Sequence, residues 1–121
     1  MVEGRKYDLG DRTFRFSQEV ISLCSKIPKN QINNPIISQL VRAGTSIGAN
    51  YAEADSASST KDFINKITIA HKEASETKYW LKIVNEIASQ HKDEIRKLSR
   101  EVQELNLILA TIVRNTRTKS P

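Results

Sequence analysis

The sequence predicts an all-α protein, an antiparallel up-down four-helix bundle, from three observations. Apolar residues recur at steps of three and four through four separate segments. No stretch alternates in the manner of a strand, and glycine and proline fall mainly between the segments or at their ends. The second segment is the exception, because Gly44 and Gly48 lie on the same helical face as Ile36, Ile37, Leu40, Val41, Ile47 and Tyr51. Each glycine costs about 1 kcal/mol of helix stability relative to alanine. A helix that keeps both is expected to gain close approach by a neighbouring backbone.

The first helix is expected to run from Asp11 to Ile27, with Phe16, Val20, Leu23, Cys24 and Ile27 on one stripe and Pro28 as its stop. A short loop follows. Asn34 then serves as an expected N-cap, with Pro35 at the first helical position, where a missing N–H costs nothing. The second helix ends near Ala54, and a polar, serine-rich linker from Asp55 to Thr60 offers Ser59 or Thr60 as the next cap. The third helix has the cleanest periodicity: Phe63, Ile67, Ala70, Ala74, Thr77, Leu81, Val84 and Ala88 form a bundle seam. After a turn around Ser89 to Lys92, the fourth repeats the pattern through Ile95, Leu98, Val102, Leu105, Leu109 and Ile112. Two such seams joined by a short turn make an antiparallel hairpin.

Both long helices carry more apolar surface than a seam requires. Ile69, Trp80, Ile83 and Ile87 lie beside the third helix's seam, and Leu107, Ile108 and Val113 beside the fourth's. Contiguous apolar patches of more than a few hundred Å² are usually interfaces, so a homo-oligomer is expected, with Ile69, Trp80, Ile83 and Ile87 at the contact.

A chain of 121 residues forms one domain over 1–121, with a short flexible N-terminus and a basic C-terminal tail, and buries about two-thirds of its unfolded surface. Cys24 is the single cysteine and lies on an apolar stripe, which points to a small core residue in a reducing compartment, the cytoplasm. No run approaches the roughly 18 apolar residues of a membrane span, and residues 1–10 lack the apolar core of a signal peptide.

The net charge is +5 and the isoelectric point about 9.5. Arg96, Lys97 and Arg100 cluster early in the fourth helix, and Arg114, Arg117 and Lys119 occupy its end without an acid among them. These six residues are the candidate contacts to nucleic acid. A solvated face with a basic end that complements the helix dipole explains the same residues, and Glu94, Glu101 and Glu104 dilute the patch.

Catalytic chemistry is scarce. Two histidines and one cysteine stand without a recognisable signature, His71 on a partly outward helix position and His91 in a turn. A di-iron bundle would need inward Glu-x-x-His pairs, and none occurs; Glu73 and Glu76 are three apart with no histidine at the required offset. Neither a metal nor another cofactor is expected, and no glycine loop could cradle a phosphate. Arg42, Ser46, Asn50 and Glu53 make a polar stripe beside the apolar face of the second helix. The stripe could contact a ligand or RNA. The preferred reading is a packing network in which Arg42 meets Glu73 or Glu76 and Asn50 satisfies a backbone group at a junction.

The string Gln39-Leu40-x-Arg42-Ala43-x-Thr45-Ser46-Ile47-x-Ala49-Asn50-x-Ala52-Glu53 resembles the signature of the bacterial four-helix-bundle family of large-subunit rRNA intervening-sequence proteins. Its continuation, Lys61-Asp62-Phe63-Ile64 and Ile69-Ala70-His71-Lys72-Glu73-Ala74-x-Glu76-Thr77-x-Tyr79-Trp80-Leu81, is similar to the family's third helix. The resemblance spans most of the chain from Asp8 onward and departs at Ala54, where the family usually has glycine. It implies a left-handed up-down bundle assembled as a ring-shaped homopentamer. Arg42, Asn50 and Glu53 correspond to the signature's polar positions. The accessory variability proteins of diversity-generating retroelements look like the same bundle, and act as basic partners of a reverse transcriptase and its nucleic acid.

The resulting expectation is a non-enzymatic, cytoplasmic homo-oligomer that binds RNA or DNA weakly through phosphate contacts. The alternative is an adaptor that docks a partner enzyme such as a reverse transcriptase, its charge serving only solubility.

Overall fold

The computed structural model describes residues 8–119, with side chains through Thr118. The expected flexible N-terminal segment and the Lys119 side chain lie outside the described residues. Four helices follow in order: α1 (Leu9–Ser25), α2 (Asn33–Asp55), α3 (Thr60–Ile87) and α4 (Lys92–Lys119), with a 3₁₀ turn at Ser89–His91 before the last. Consecutive helices run antiparallel, and no strand occurs among the described residues.

Helix α1 begins two residues before the expected start because the Asp8 side chain accepts a hydrogen bond from the Asp11 amide at 3.2 Å. It also ends earlier than expected, at Ser25, since the residue before a proline is disfavoured in the α region. Ile27 leaves the helix yet stays buried. Asn34 is not the cap of α2. Instead Asn30 accepts from the Ile32 and Asn33 amides at 3.0 and 2.7 Å, while its own amide donates to the Asn34 side chain at 3.1 Å. The Asn34 amide donates in turn to the Asn30 backbone carbonyl at 2.9 Å, and Pro35 sits within the first turn, where no intrahelical donor is required. Ser59 caps α3 as expected, accepting from the Asp62 amide at 3.0 Å, and Asp62 in turn accepts from the Ser58 amide at 3.3 Å.

The two expected seams are buried through Val84 and Ala88 on one side and Leu109 on the other, with only Phe63 and Ile112 partly exposed. Cys24 is buried among them, and desolvation pushes its thiol up to about 11, so it is protonated at neutral pH. The buried Asn106 amide crosses from α4 to α3, donating to Ser75 Oγ at 2.9 Å and to the His71 carbonyl at 3.3 Å. Every buried side-chain polar atom among the described residues has a partner.

The glycines of α2 explain how the first two helices meet. None of the described glycines adopts a positive φ, so Gly44 and Gly48 serve close approach and not backbone freedom. A Cβ at Gly44 would lie 3.1 and 3.2 Å from the two Val20 methyls; one at Gly48 would lie 3.1 Å from Thr13 Oγ1 and 3.4 Å from the Thr13 carbonyl carbon. Helix α1 thus packs closely along α2, and α2 with α3 and α3 with α4 form the other extensive pairings. The α1/α4 seam is much the thinnest of the four. Ion pairs cross it: Arg12 reaches Glu101 at 2.9 Å and Glu104 at 3.0 Å, and Lys26 reaches Glu94 at 2.9 Å.

Polar registration of α2 on α3 follows the expected pattern at Arg42. Its guanidinium contacts Glu73 at 3.2 Å and also bonds Glu76, whose carboxylate accepts from the Trp80 indole at 3.0 Å. Trp80 meets Tyr79 edge to face, with ring centroids 5.2 Å apart. Asn50 departs from expectation. It satisfies no junction, because its amide donates to the Ser46 carbonyl at 2.8 Å within its own helix. Glu53 pairs with Lys66 of α3 at 2.8 Å.

Gly44→Ala gains helix propensity but presses on the buried, stiff Val20, so denaturant unfolding should show a net loss of about 1 kcal/mol. Combining it with Val20→Ala should restore part of the loss through a favourable coupling of at least about 0.5 kcal/mol; simple additivity would mean the two sites do not touch. The bonds from Trp80 and Arg42 hold the Glu76 carboxyl below its ordinary range. Its folded value therefore lies below its unfolded one, and its contribution is present above the ordinary carboxylate range and lost as the pH falls through the folded value. Glu76→Gln should flatten the acid limb of the stability curve below about pH 5. The effect stays well below about 1 kcal/mol because the side chain remains 40% exposed.

Candidate nucleic-acid interface

Five of the six candidate cations of α4 have described side chains, and they do not make one patch. Arg96 and Arg114 lie about five helical turns apart, or about 27 Å at 1.5 Å per residue, on one outer line of the helix. Lys97 and Arg100 turn from that line toward α1, whereas Arg117 turns toward α3. Arg96 sits opposite Asp93 at 3.6 Å, a well-exposed pair.

At the first cluster the structure adds residues of α1 that the reading of charge along α4 did not include. A cleft of about 540 Å³ runs between the two helices, with Arg12, Arg15 and Glu19 on one wall and Lys97, Arg100 and Glu101 on the other. Phe16 closes its floor and is itself buried. The arrangement follows from helix periodicity: Arg12, Arg15 and Glu19 are spaced by three and four, and flank the apolar stripe on the side that faces α4. Spacing along α1 could have placed these three on one face. What it could not supply was the partner, 89 residues away for Arg12 and Glu101.

The carboxylates that dilute the charge of α4 are not all free to oppose an anion. Glu101 accepts two bonds from Arg12, at 2.9 and 3.1 Å, and Glu104 accepts a third. Arg15, Lys97 and Arg100 make no ion pair or side-chain hydrogen bond among the described residues, and Glu19 is the remaining acid of the cleft. A cleft of this composition can hold a phosphate oxygen against three unpaired donors-bearing side chains, with no aromatic face available for base stacking.

At the far end of α4, Arg114 donates to Thr111 at 3.3 Å, and Arg117 is unpaired among the described residues. Both overlie a different depression, between α3 and α4, with an apolar floor. The structural-motif residues Arg42, Asn50 and Glu53 belong to neither cleft, being engaged within and between α2 and α3. The expected contact residues Ile69, Trp80, Ile83 and Ile87 are all partly buried, whereas the most exposed large apolar side chains are Phe14, Ile21, Ile32, Tyr79 and Leu107.

No group of three or more His, Cys, Asp or Glu side chains that could hold a metal occurs among the described residues. Nor is any described helix long and apolar enough to cross a membrane.

Comparison with known proteins agrees with the fold. Residues 5–111 match the model of the 23S rRNA-intervening sequence protein family. The chain is also similar to a crystal structure of a protein with unknown function from the S23 ribosomal protein family of Bacteroides thetaiotaomicron, with 35% identity and a TM-score of 0.78. That likeness covers 86% of this chain and 96% of the other. No match is found among curated proteins. A family match over nearly the whole length, on a bundle of this architecture, shows that the chain belongs to the 23S rRNA-intervening sequence protein family.

Proposed function

We propose that this protein is a non-enzymatic, cytoplasmic, nucleic-acid-associated bundle that binds RNA or DNA through phosphate contacts in the α1/α4 cleft. The observation that carries the reading is the trio Arg15, Lys97 and Arg100, which converge from two helices while Arg12 occupies the neighbouring Glu101 and Glu104. The net charge of +5 supplies long-range attraction, and the family's name points to an rRNA setting. Arg114 and Arg117 add to the field from the far end of α4 without sharing the cleft. Binding of this kind proceeds by release of condensed counterions and carries little sequence preference. The protein acts as a homo-oligomer, a pentamer by resemblance to its family, so that several clefts engage one strand together and raise the effective affinity.

The salt dependence of single-stranded RNA binding tests the assignment. Replacing Arg15, Lys97 and Arg100 together by glutamine should lower the slope of log affinity against log salt by about two units, at about 0.7 unit per phosphate contact. Replacing Arg114 and Arg117 should lower it by less than about one. An equal loss from both sets would spread the contacts over the whole of α4, and an unchanged slope in the triple variant would remove the cleft. Light scattering should give the mass of a multimer that grows with RNA and reverts in salt; a monomeric mass would remove the assembly.

A further inference from the structure

The depression beneath Arg114 and Arg117 has a chemistry unlike that of the α1/α4 cleft. It lies at the open end of the α3/α4 hairpin, away from the 3₁₀ turn, and has a volume of about 410 Å³. Ala110 and Val113 of α4 form its apolar floor, and His71, Arg114 and Arg117 stand at its edge. No carboxylate lines it. It continues past Thr68 and Arg117 into a second, more polar depression of about 540 Å³ that adds Ser59, Lys61, Ile64 and Asn65. The acid of that part, Asp62, is bonded to the Ser58 amide in the cap of α3. The two depressions share Thr68 and Arg117 and together make a trough along α3, spanning about 15 Å between Lys61 and His71 at the rise of a helix.

We propose that this trough docks an amphipathic helix of a partner protein whose apolar face is bordered by aspartate or glutamate. Ala110 and Val113, with Ile64 further along, offer apolar contacts for anchors at positions i, i+3 and i+4 of such a helix, part of the usual pattern of a helix laid into a groove. The charge complementarity is one-sided: Lys61, Arg114 and Arg117 border the trough, and the two arginines make no carboxylate pair among the described residues. Charges placed at the rim of an apolar contact steer encounter and select against cationic partners. A phosphodiester strand would satisfy the rim but leave the floor of Ala110 and Val113 without an apolar partner. The inference does not rest on the phosphate reading: the trough shares no residue with the α1/α4 cleft, and Arg114 and Arg117 contribute to that reading only through their field.

Fluorescence anisotropy on the full chain tests it, using a labelled amphipathic helical peptide of leucine and glutamate and its lysine-for-glutamate counterpart. The glutamate peptide should bind and the lysine peptide should not. Val113→Asp, which places a charge on the floor, should weaken binding at least about tenfold. Arg114→Gln with Arg117→Gln, both at exposed positions, should do the same with the helical circular dichroism unchanged, which keeps the test valid if Val113→Asp fails to fold. Equal binding of the two peptides, or binding indifferent to the arginine pair, would overturn the proposal. So would self-association of the unliganded chain that Arg114→Gln with Arg117→Gln abolishes, since that would make a second copy the occupant.

Discussion

The close contact of α1 with α2 is the constraint on which the remaining architecture depends. Gly44 and Gly48 remove two side chains from the face of α2, and Val20 and Thr13 of α1 occupy the space. Helix α1 has little else to hold it, since its pairing with α4 is thin. A side chain at either glycine would push α1 outward and take Phe16, Val20 and Leu23 with it, all now buried. The two glycines weaken α2 as an isolated helix, yet the packing they permit fixes the position of a whole neighbouring helix.

That placement has a second consequence. With α1 held against α2, the α1/α4 seam stays open enough to form a cleft, and its closure falls to side chains long enough to cross it. Arg12 crosses it, bridging two carboxylates with a planar, multidentate donor set that lysine could not reproduce. By occupying Glu101 and Glu104 it changes the electrostatic character of the cleft, leaving Arg15, Lys97 and Arg100 without an ion pair among the described residues and Glu19 as the one remaining acid of its lining. One ion-pair cluster therefore links a structural task to the proposed binding task.

The two ends of α4 are chemically distinct although their cations look alike in sequence. Near its start, Lys97 and Arg100 face Arg12 and Arg15 of α1 over a buried Phe16; near its end, Arg114 and Arg117 overlie Ala110 and Val113. Exposed apolar carbon beneath a cationic rim suits a folded apolar partner, whereas a polar cleft with unpaired donors suits an anion. Charge counting alone cannot separate these surfaces because it ignores what lies under each cation.

The four helices, their antiparallel order and nearly all of the core were legible in the sequence, because a period of 3.6 residues is local information that any folded helix must obey. The Arg42 pairing with Glu73 and Glu76 was legible as well, since all three flank seams already identified. Helix ends were less so: the Asn30 and Asn34 pair competes with the stronger Asn34-Pro35 signal, and Asp8 offers a cap that periodicity does not weigh. Asn50 was misplaced because an amide can turn back on its own helix as readily as reach across a junction. Only the tertiary structure decided that Arg12 and Arg15 face Lys97 and Arg100, that α4 carries two surfaces and not one patch, and that Trp80 is partly buried beside Glu76. The first two relations join residues distant in the chain, and the burial of Trp80 likewise depends on how helices rotate and lean against one another, which no single helix's sequence specifies.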